Sequence, residues 1–450
     1  MVALIPRAAL SCLVMVGVIA EPHALAAERD GEKTLIAVAN LLTRRHGDDE
    51  SRWTPLLDKA RHEQLWGDVQ QIRKLVAGAT SMEVEIQGDT TCDILFEFGD
   101  HDVVVGVQLS EETPPRLLNI TSKEITRDAA ETAPITWATL DEAMRLAAER
   151  GFTGAVLVTR NGKIVLHEGY GLANRERRIR VKPDTVFAIG SAPIDFTHAG
   201  VLLLKDQGKL ALDDPITKFF DDVPQDKSTI TIEHLMTGRS GLLDFHELPT
   251  DENPDHTWID RDEAIRRIMN QRLLFKPGES RRPSHSAWGL LAAIIEIVSG
   301  ESYPEFTKKR LFELAGMKDT GFFGEPVAED RVAVGYGRVS STPNSPPHWG
   351  KTSWMVMGSG GQVSTLADMY RWEVAMRNKS ILSADSTAAY LRNRTGVCQD
   401  GDSFGFEFMH STDPEQLFMI ISNAINTRED RRSFDELGRR LEALIEQEPQ

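Results

Sequence analysis

Phe187-Ala188-Ile189-Gly190-Ser191-Ala192-Pro193-Ile194 sets a serine at the opening of a helix. Pro193 is tolerated there because a first turn needs no amide donor. The stretch from Ala199 through Val201-Leu202-Leu203-Leu204 is apolar enough to be buried on most sides. A serine so placed has helix-terminal amides beside it, which form half of a site for a developing oxyanion. Residues i and i+3 of an opening turn share a face. The position from which a lysine would activate Ser191 holds Ile194.

Ahead of this helix the pattern is dense. A helix is predicted around Leu140 to Ala148. A hairpin follows: Gly154-Ala155-Val156-Leu157-Val158, the dipeptide Asn161-Gly162, then Ile164-Val165-Leu166. Asn-Gly suits a two-residue turn because both positions take positive φ. Near residue 130 the texture changes. Upstream, Trp53, Leu56, Leu57, Ala60, Leu65, Val69, Ile72 and Leu75 recur at roughly helical spacing. Met82/Val84/Ile86, Cys92/Ile94/Phe96/Phe98 and Val103/Val105/Val107/Leu109 alternate at period two. The chain of 450 residues thus reads as multi-domain α+β. Residues 27–132 form a small α+β domain of helices followed by an antiparallel meander, and residues 133–450 a large domain.

Residues 1–26 stand apart. Arg7 precedes an apolar run from Ala8 to Ala20 and then Ala24-Leu25-Ala26, a signal-peptide pattern. The run is shorter than the roughly 20 residues that span a bilayer. The mature chain is therefore expected to be exported, periplasmic or extracellular, with no transmembrane segment. Cys12 lies inside the run rather than after it, which argues against a lipoprotein site. Cys92 and Cys398 remain, in a compartment that permits a disulfide but with no spacing that requires one. Two buried free thiols are expected. With 51 Lys+Arg against 68 Asp+Glu, the net charge of -17 repels phosphate backbones and anionic lipid. No nucleic acid is expected as a partner.

A series of short segments continues the pattern along the chain. Glu168-Gly169-Tyr170-Gly171-Leu172-Ala173-Asn174 precedes Asp184-Thr185-Val186 and the Ser191 segment. Gly208-Lys209-Leu210-Ala211-Leu212-Asp213-Asp214-Pro215 and Ile230-Thr231-Ile232-Glu233-His234-Leu235-Met236-Thr237 with Ser240-Gly241-Leu242 come after it. Then come Pro277-Gly278-Glu279, Leu290 to Gly300, Leu314-Ala315-Gly316-Met317-Lys318-Asp319-Thr320 and Gly360-Gly361-Gln362-Val363-Ser364-Thr365-Leu366-Ala367-Asp368. Over about residues 135 to 425 this order resembles the serine β-lactamase and penicillin-binding-protein-like superfamily, especially its class C β-lactamase, D-alanyl-D-alanine carboxypeptidase and esterase branch. Each segment alone is a weak motif, and the ordered series is specific. The resemblance implies a β-lactamase-like fold, an antiparallel sheet flanked by helices plus an all-helical region. It also implies acyl transfer through Ser-x-x-Lys, Tyr-x-Asn or Ser-x-Asn, and a Lys/His-x-Gly on a strand beside the nucleophile.

Each motif departs from that pattern. In the first, Ile194 replaces the lysine. The second should follow Pro277-Gly278-Glu279 and reads Pro283-Ser284-His285. The proton-shuttling phenol is a proline, and His285 stands in the asparagine's place, where it could serve as a replacement base for Ser191. No acid to orient His285 can be named from the sequence, so a histidine filling a polar niche is the plainer reading. The third motif is expected between Phe404-Gly405-Phe406-Glu407-Phe408 and Leu417 to Asn423. Only Met409 to Gln416 lie there, and His410-Ser411-Thr412 has no glycine. Lys351-Thr352-Ser353 falls on the wrong side of the Gly360-Gly361 landmark.

Other groupings read as structural. His234, His246 and His256 lack metal-ligand spacing, so neither a metal nor a cofactor is expected. Asp195 and His198, four and seven residues after Ser191, read as a helix-surface pair. Ser433-Phe434-Asp435-Glu436 reads as a capping box opening an amphipathic helix over Leu437, Leu441, Leu444 and Ile445. A positioned acid or base contributes roughly 10² to 10⁴ in rate, and binding and oxyanion effects alone leave roughly 10³ to 10⁴ over water. Three altered motifs at one cleft favour a catalytically degenerate family member, a pseudoenzyme. Its ligand would be a cell-wall peptide, a small ester or amide, or a protein partner. The alternative is an active serine hydrolase of esterase or peptidase type, using Ser191 with His285 as a non-standard base.

Overall fold

The computed structural model describes residues 18–19, 30–43, 49–79, 81–86, 90–98, 101–126, 133–247, 254–255, 257–338, 344–392, 394, 397–401 and 404–447. Apart from Val18–Ile19, the leader expected over residues 1–26 lies outside these. Two compact units, Met1–Ala133 and Pro134–Gln450, make up the chain.

In the first unit the strands Ser81–Ile86, Thr91–Glu97, His101–Leu109 and Leu117–Thr126 pair antiparallel in sequence order. Val18–Ile19 lies parallel to the first of them. The period-two alternation puts Val84, Ile94, Phe96, Val103 and Val105 into one buried cluster with Leu65, Val69 and Ile72. The helical spacing from Trp53 to Leu75 belongs to two helices, Glu50–Trp53 and His62–Leu75. Pro55 has no amide to continue the first, and Leu57 leaves it to bridge Leu117. No disulfide joins Cys92 and Cys398; Cys92 is buried and Cys398 only half-buried. Burial, with Asp93 beside it, pushes the Cys92 thiol up to about 12.

The second unit is built on a five-stranded antiparallel sheet. Its spatial order is Val397–Gly401, Glu407–Ser411, Phe418–Ser422, Gly154–Arg160, Lys163–Tyr170. Asn161 (φ 53) and Gly162 (φ 69) close its hairpin with the positive angles an Asn-Gly turn needs. Strand Gly154–Arg160 is covered on both faces. Ala155 and Leu157 pack with Phe196, Leu202 and Trp372, and Val156 and Val158 pack with Leu437 and Leu441 of the closing helix Arg428–Ile445. That helix starts earlier than its sequence suggested. Thr427 and Asp430 form the reciprocal capping box, leaving Ser433 inside the helix. The same polar spacing occurs twice, and the copy at the true chain turn is the one that caps.

An all-helical region accompanies the sheet. Every residue from Ser286 to Ile295 of helix His285–Ser299 is buried, which its nearly continuous apolar sequence requires. Helix Pro193–Asp206 approaches it closely at Gly200, where a Cβ would lie 3.0 Å from Ile295 Cδ1 and 3.1 Å from Phe306 Cε1. Three short strands, Phe187–Ala188, Gln362–Ser364 and Gly321–Phe322, deliver the chain to Ser191. Among the described residues no helix is long and apolar enough to cross a membrane.

Candidate active site

Ser191 emerges between strand Phe187–Ala188 and helix Pro193–Asp206, after Gly190 turns the chain at φ 54. Among the described residues its backbone N–H has no acceptor, so it is available to an oxyanion. Ile194, in the lysine's position, packs against the apolar cluster of the helical region. Thr197 Oγ1 donates to Gly358 O at 2.6 Å and lies 2.6 Å from the Tyr303 hydroxyl. Gly358 has φ 87, and a Cβ there would lie 2.6 Å from Trp288 O. This contact ties the Ser359-Gly360-Gly361 segment to the Ser191 helix.

His285 is the first residue of its helix, and its Nε2 lies 3.3 Å from Ser191 Oγ. Its backbone N–H donates to Asp244 Oδ2 at 2.7 Å, and its Nδ1 lies 2.8 Å from the same oxygen. A carboxylate at a helix N-terminus is electrostatically favoured. This contact assigns the ring proton to Nδ1, which turns the Nε2 lone pair toward Ser191. Asp244 Oδ1 accepts from the His246 backbone N–H at 3.0 Å and lies 2.8 Å from His246 Nδ1, while His246 Nε2 lies 3.2 Å from Asp255 Oδ1. A continuous chain of contacts therefore runs Ser191, His285, Asp244, His246, Asp255. Burial alone would raise the Asp244 carboxyl, but hydrogen bonds from both histidines hold it well below the usual carboxylate range. Partial desolvation by its neighbours opposes charge on the His246 ring, which is still 43% exposed, and the two carboxylates overcome it, lifting its pKa to about 10.

Asp244 is the acid that sequence reasoning could not name. A signal was present, since Asp244 stands two residues beyond the Ser240-Gly241-Leu242 landmark. The loop comes to the helix start because Gly241 (φ 76) passes against Phe275, where a Cβ would meet Phe275 O at 2.1 Å. Leu274 N–H donates to Gly241 O at 2.8 Å.

Ser191 and His285 line a cavity of about 170 Å³ together with Phe323, Trp349, Val356 and Phe404. The strand that reaches it is the sheet edge, Val397–Gly401, through Gly401. This corrects the expected place of the third motif. Gly401 pairs with Glu407 and Val397 with Ser411, so Met409 to Gln416 lead away from the cavity. Phe404 to Phe408 follows the edge strand instead of preceding it. Gln399-Asp400-Gly401 holds the strand position beside the nucleophile, with glutamine in place of lysine or histidine, and the Gln399 amide donates to Glu407 and Asp435. Lys351 lies over the Trp258 ring at 5.3 Å, Thr352 donates to Gly361 O, and Ser353 donates to Thr257 O. His234 belongs to the capping box of Thr231, and His256 lies outside the described residues. A larger cavity of about 640 Å³ carries two ion pairs in its wall, Lys308 with Glu325 and Arg331 with Asp319.

Asp195 and His198 are not a helix-surface pair. Asp195 Oδ2 lies 2.5 Å from Arg394, whose guanidinium also donates to both Glu373 oxygens at 2.8 and 3.1 Å and sits over the Tyr390 ring. Arg394→Met leaves two carboxylates in the interior without their cation. It is expected to destabilise the protein by about 3–5 kcal/mol in equilibrium denaturation. His198 lies against Trp288 and Tyr390, and His410 is 1% exposed. Burial, with Arg394 nearby, lowers both rings to about 4. The unfolded chain takes up these protons near pH 6.5, before the folded one does. The stability contributed by the neutral rings is thus complete above about pH 6.5 and lost as pH falls to about 4. The expected loss at His410 is about 3 kcal/mol, and His410→Gln should flatten that part of the stability-pH curve.

The comparisons agree with this architecture. The Beta-lactamase family model matches residues 139–433. The penicillin-binding protein PbpX of Bacillus subtilis (strain 168) is 29% identical over 280 residues, covering 62% of this chain and 69% of its own length. Esterase EstB of Burkholderia gladioli is 32% identical over 225 residues, 46% of this chain and 56% of its own, so the chain spans little more than half of that relative. The fold is similar to that of the beta-lactamase/D-alanine carboxypeptidase from Yersinia pestis complexed with citrate. That likeness has a TM-score of 0.56 at 20% identity over 69% of this chain and 98% of that one.

Proposed function

Since the chain belongs to the beta-lactamase family, we propose that it is an active serine hydrolase with Ser191 as nucleophile, His285 as general base and Asp244 as the acid that orients His285. The observation that carries this reading is the unbroken contact chain, 3.3 Å from Ser191 Oγ to His285 Nε2 and 2.8 Å from His285 Nδ1 to Asp244. Such contacts tighten when substrate binds. His285 Nε2 takes the Ser191 proton as Oγ attacks the carbonyl, and Asp244 stabilises the imidazolium. The proton then passes to the departing alkoxide. Water repeats the sequence on the acyl-serine, returning Ser191 and releasing the acid. The Ser191 N–H faces the oxyanion. In this scheme His285 supplies the base that Ile194 cannot, so the degenerate, binding-only reading gives way.

The cavity favours small neutral esters. Its volume of about 170 Å³ is below the roughly 300–1,000 Å³ of sites for drug-sized ligands. Among the described lining residues the cationic side chain is His246, and carboxylates engage both of its ring nitrogens. No lining cation is left to pair with an anionic substrate. An amide leaving group needs stronger protonation than an alkoxide, and Pro283 stands where a phenol would provide it. The Arg7 to Ala26 pattern supports action outside the cytoplasm.

A fluorophosphonate probe is expected to label the chain stoichiometrically, and Ser191→Ala to abolish labelling. p-Nitrophenyl acetate should be turned over at least about 10²-fold faster than an anionic chromogenic cephalosporin, the scale of one well-placed interaction. A folded chain that the fluorophosphonate does not label and that does not turn over p-nitrophenyl acetate would return the protein to the role of a cell-wall-peptide or protein binder.

A further inference from the structure

We propose that Asp244, His246 and His285 form a site for a zinc-class divalent cation, and that the bound ion switches Ser191 off. The switching half rests on the hydrolase reading above. One ligand atom from each of the three residues lies within 4.8 Å of the others. Two imidazoles and one carboxylate are the donor set of zinc, nickel or copper, whereas magnesium and calcium prefer all-oxygen shells. The donors come from two segments, Asp244-x-His246 in a loop and His285 at a helix start, so spacing within one segment could not reveal them.

The cluster is oriented before any ion arrives. Both Nδ1 atoms lie 2.8 Å from Asp244, which is itself fixed by the backbone N–H groups of His246 and His285 at 3.0 and 2.7 Å. Behind His246, Asp255 Oδ1 lies 3.2 Å from Nε2, the carboxylate–imidazole arrangement that aims a histidine at a metal. The site is open to solvent, with His246 43% and His285 32% exposed. Three protein donors leave a coordination position for water.

The consequence for Ser191 follows from imidazole chemistry. A neutral ring carries one N–H and one lone pair. With Nδ1 of His285 on the ion, its proton moves to Nε2, the atom that faces Ser191 Oγ. Nε2 is then a donor and cannot accept the serine proton. His246 releases its Nδ1 proton to solvent and keeps Nε2–H for Asp255. Only these N–H bonds change, and removing the ion returns the proton to Nδ1 and restores the acceptor.

The test is a titration of Zn²⁺ into the folded full chain against a chromophoric chelator. One ion per chain is expected. Asp255→Asn should weaken binding about 10- to 100-fold and His246→Ala, which removes a ligand, by more, with circular dichroism verifying the fold, and Mg²⁺ should not compete. Absence of stoichiometric binding, or binding unchanged in His246→Ala, overturns the site. In parallel, fluorophosphonate labelling of Ser191 should be lost at one equivalent of zinc and return with chelator. Labelling that persists with zinc stoichiometrically bound overturns the switch. If the metal-free chain is not labelled, the hydrolase reading and the switch fall together, and the titration still decides the metal site by itself.

Discussion

His285→Ala is expected to lower kcat/KM toward a small ester by about 10⁴-fold, and adding Ser191→Ala to it should cost nothing further. The reason lies in the geometry. Among the described residues His285 is the base in hydrogen-bond contact with Ser191 Oγ, since Ile194 is apolar and Pro283 stands where the family has a phenol. Residues that transfer one proton between them act as a unit, so each single deletion already removes the whole effect. The remaining rate, roughly 10³ to 10⁴ over water, is carried by binding and the oxyanion site. The variant should fold. His285 is about a third exposed, and its backbone N–H, which an alanine retains, keeps the bond to Asp244. The measurement is steady-state kinetics of both single variants and the double variant. Losses of only a few-fold, or losses that multiply in the double variant, would show that Ser191 and His285 do not act as a unit.

What the chain discloses by itself follows from range. The strand alternation of Val103/Val105/Val107, the Asn161-Gly162 turn and the buried character of the Ser191 helix are local patterns, and each is found where its period places it. The partners that decide the chemistry are long-range. Asp244 meets His285 across 41 residues of sequence. Asp195 meets Arg394 from the far side of the domain sequence, so a helical spacing to His198 was misleading. The third motif is expected one strand too late, because Phe404 to Phe408 has strand-like content and reads as the strand before the motif, whereas it follows the edge strand Val397–Gly401. A histidine in the asparagine's place reads as a niche filler until the acid beside it is seen, and nothing in the spacing of Pro283-Ser284-His285 points toward that acid.

Asp244→Asn should therefore be nearly as damaging as losing the base, lowering kcat by about 10⁴-fold with little change in KM. Asp244 serves four donors. Oδ2 accepts from the His285 backbone N–H and Nδ1, and Oδ1 accepts from the His246 backbone N–H and Nδ1. Asparagine has one acceptor oxygen and one NH₂, so it cannot satisfy both histidine rings. If the oxygen keeps the His285 side, the charge that stabilises the imidazolium is gone. If the NH₂ turns there, the His285 proton is driven to Nε2 and the Ser191 contact has the wrong tautomer. Stability gives an independent readout. The folded Asp244 carboxyl is held well below its unfolded value of about 3.9, so its contribution is present above about pH 4 and lost as pH falls through the folded value. The variant should be less stable than the parent at pH 7, and the two denaturation curves should converge as the solution is acidified below pH 4. A kcat loss without that convergence would separate the catalytic role of Asp244 from its electrostatic one, and a preserved kcat would remove Asp244 from the mechanism.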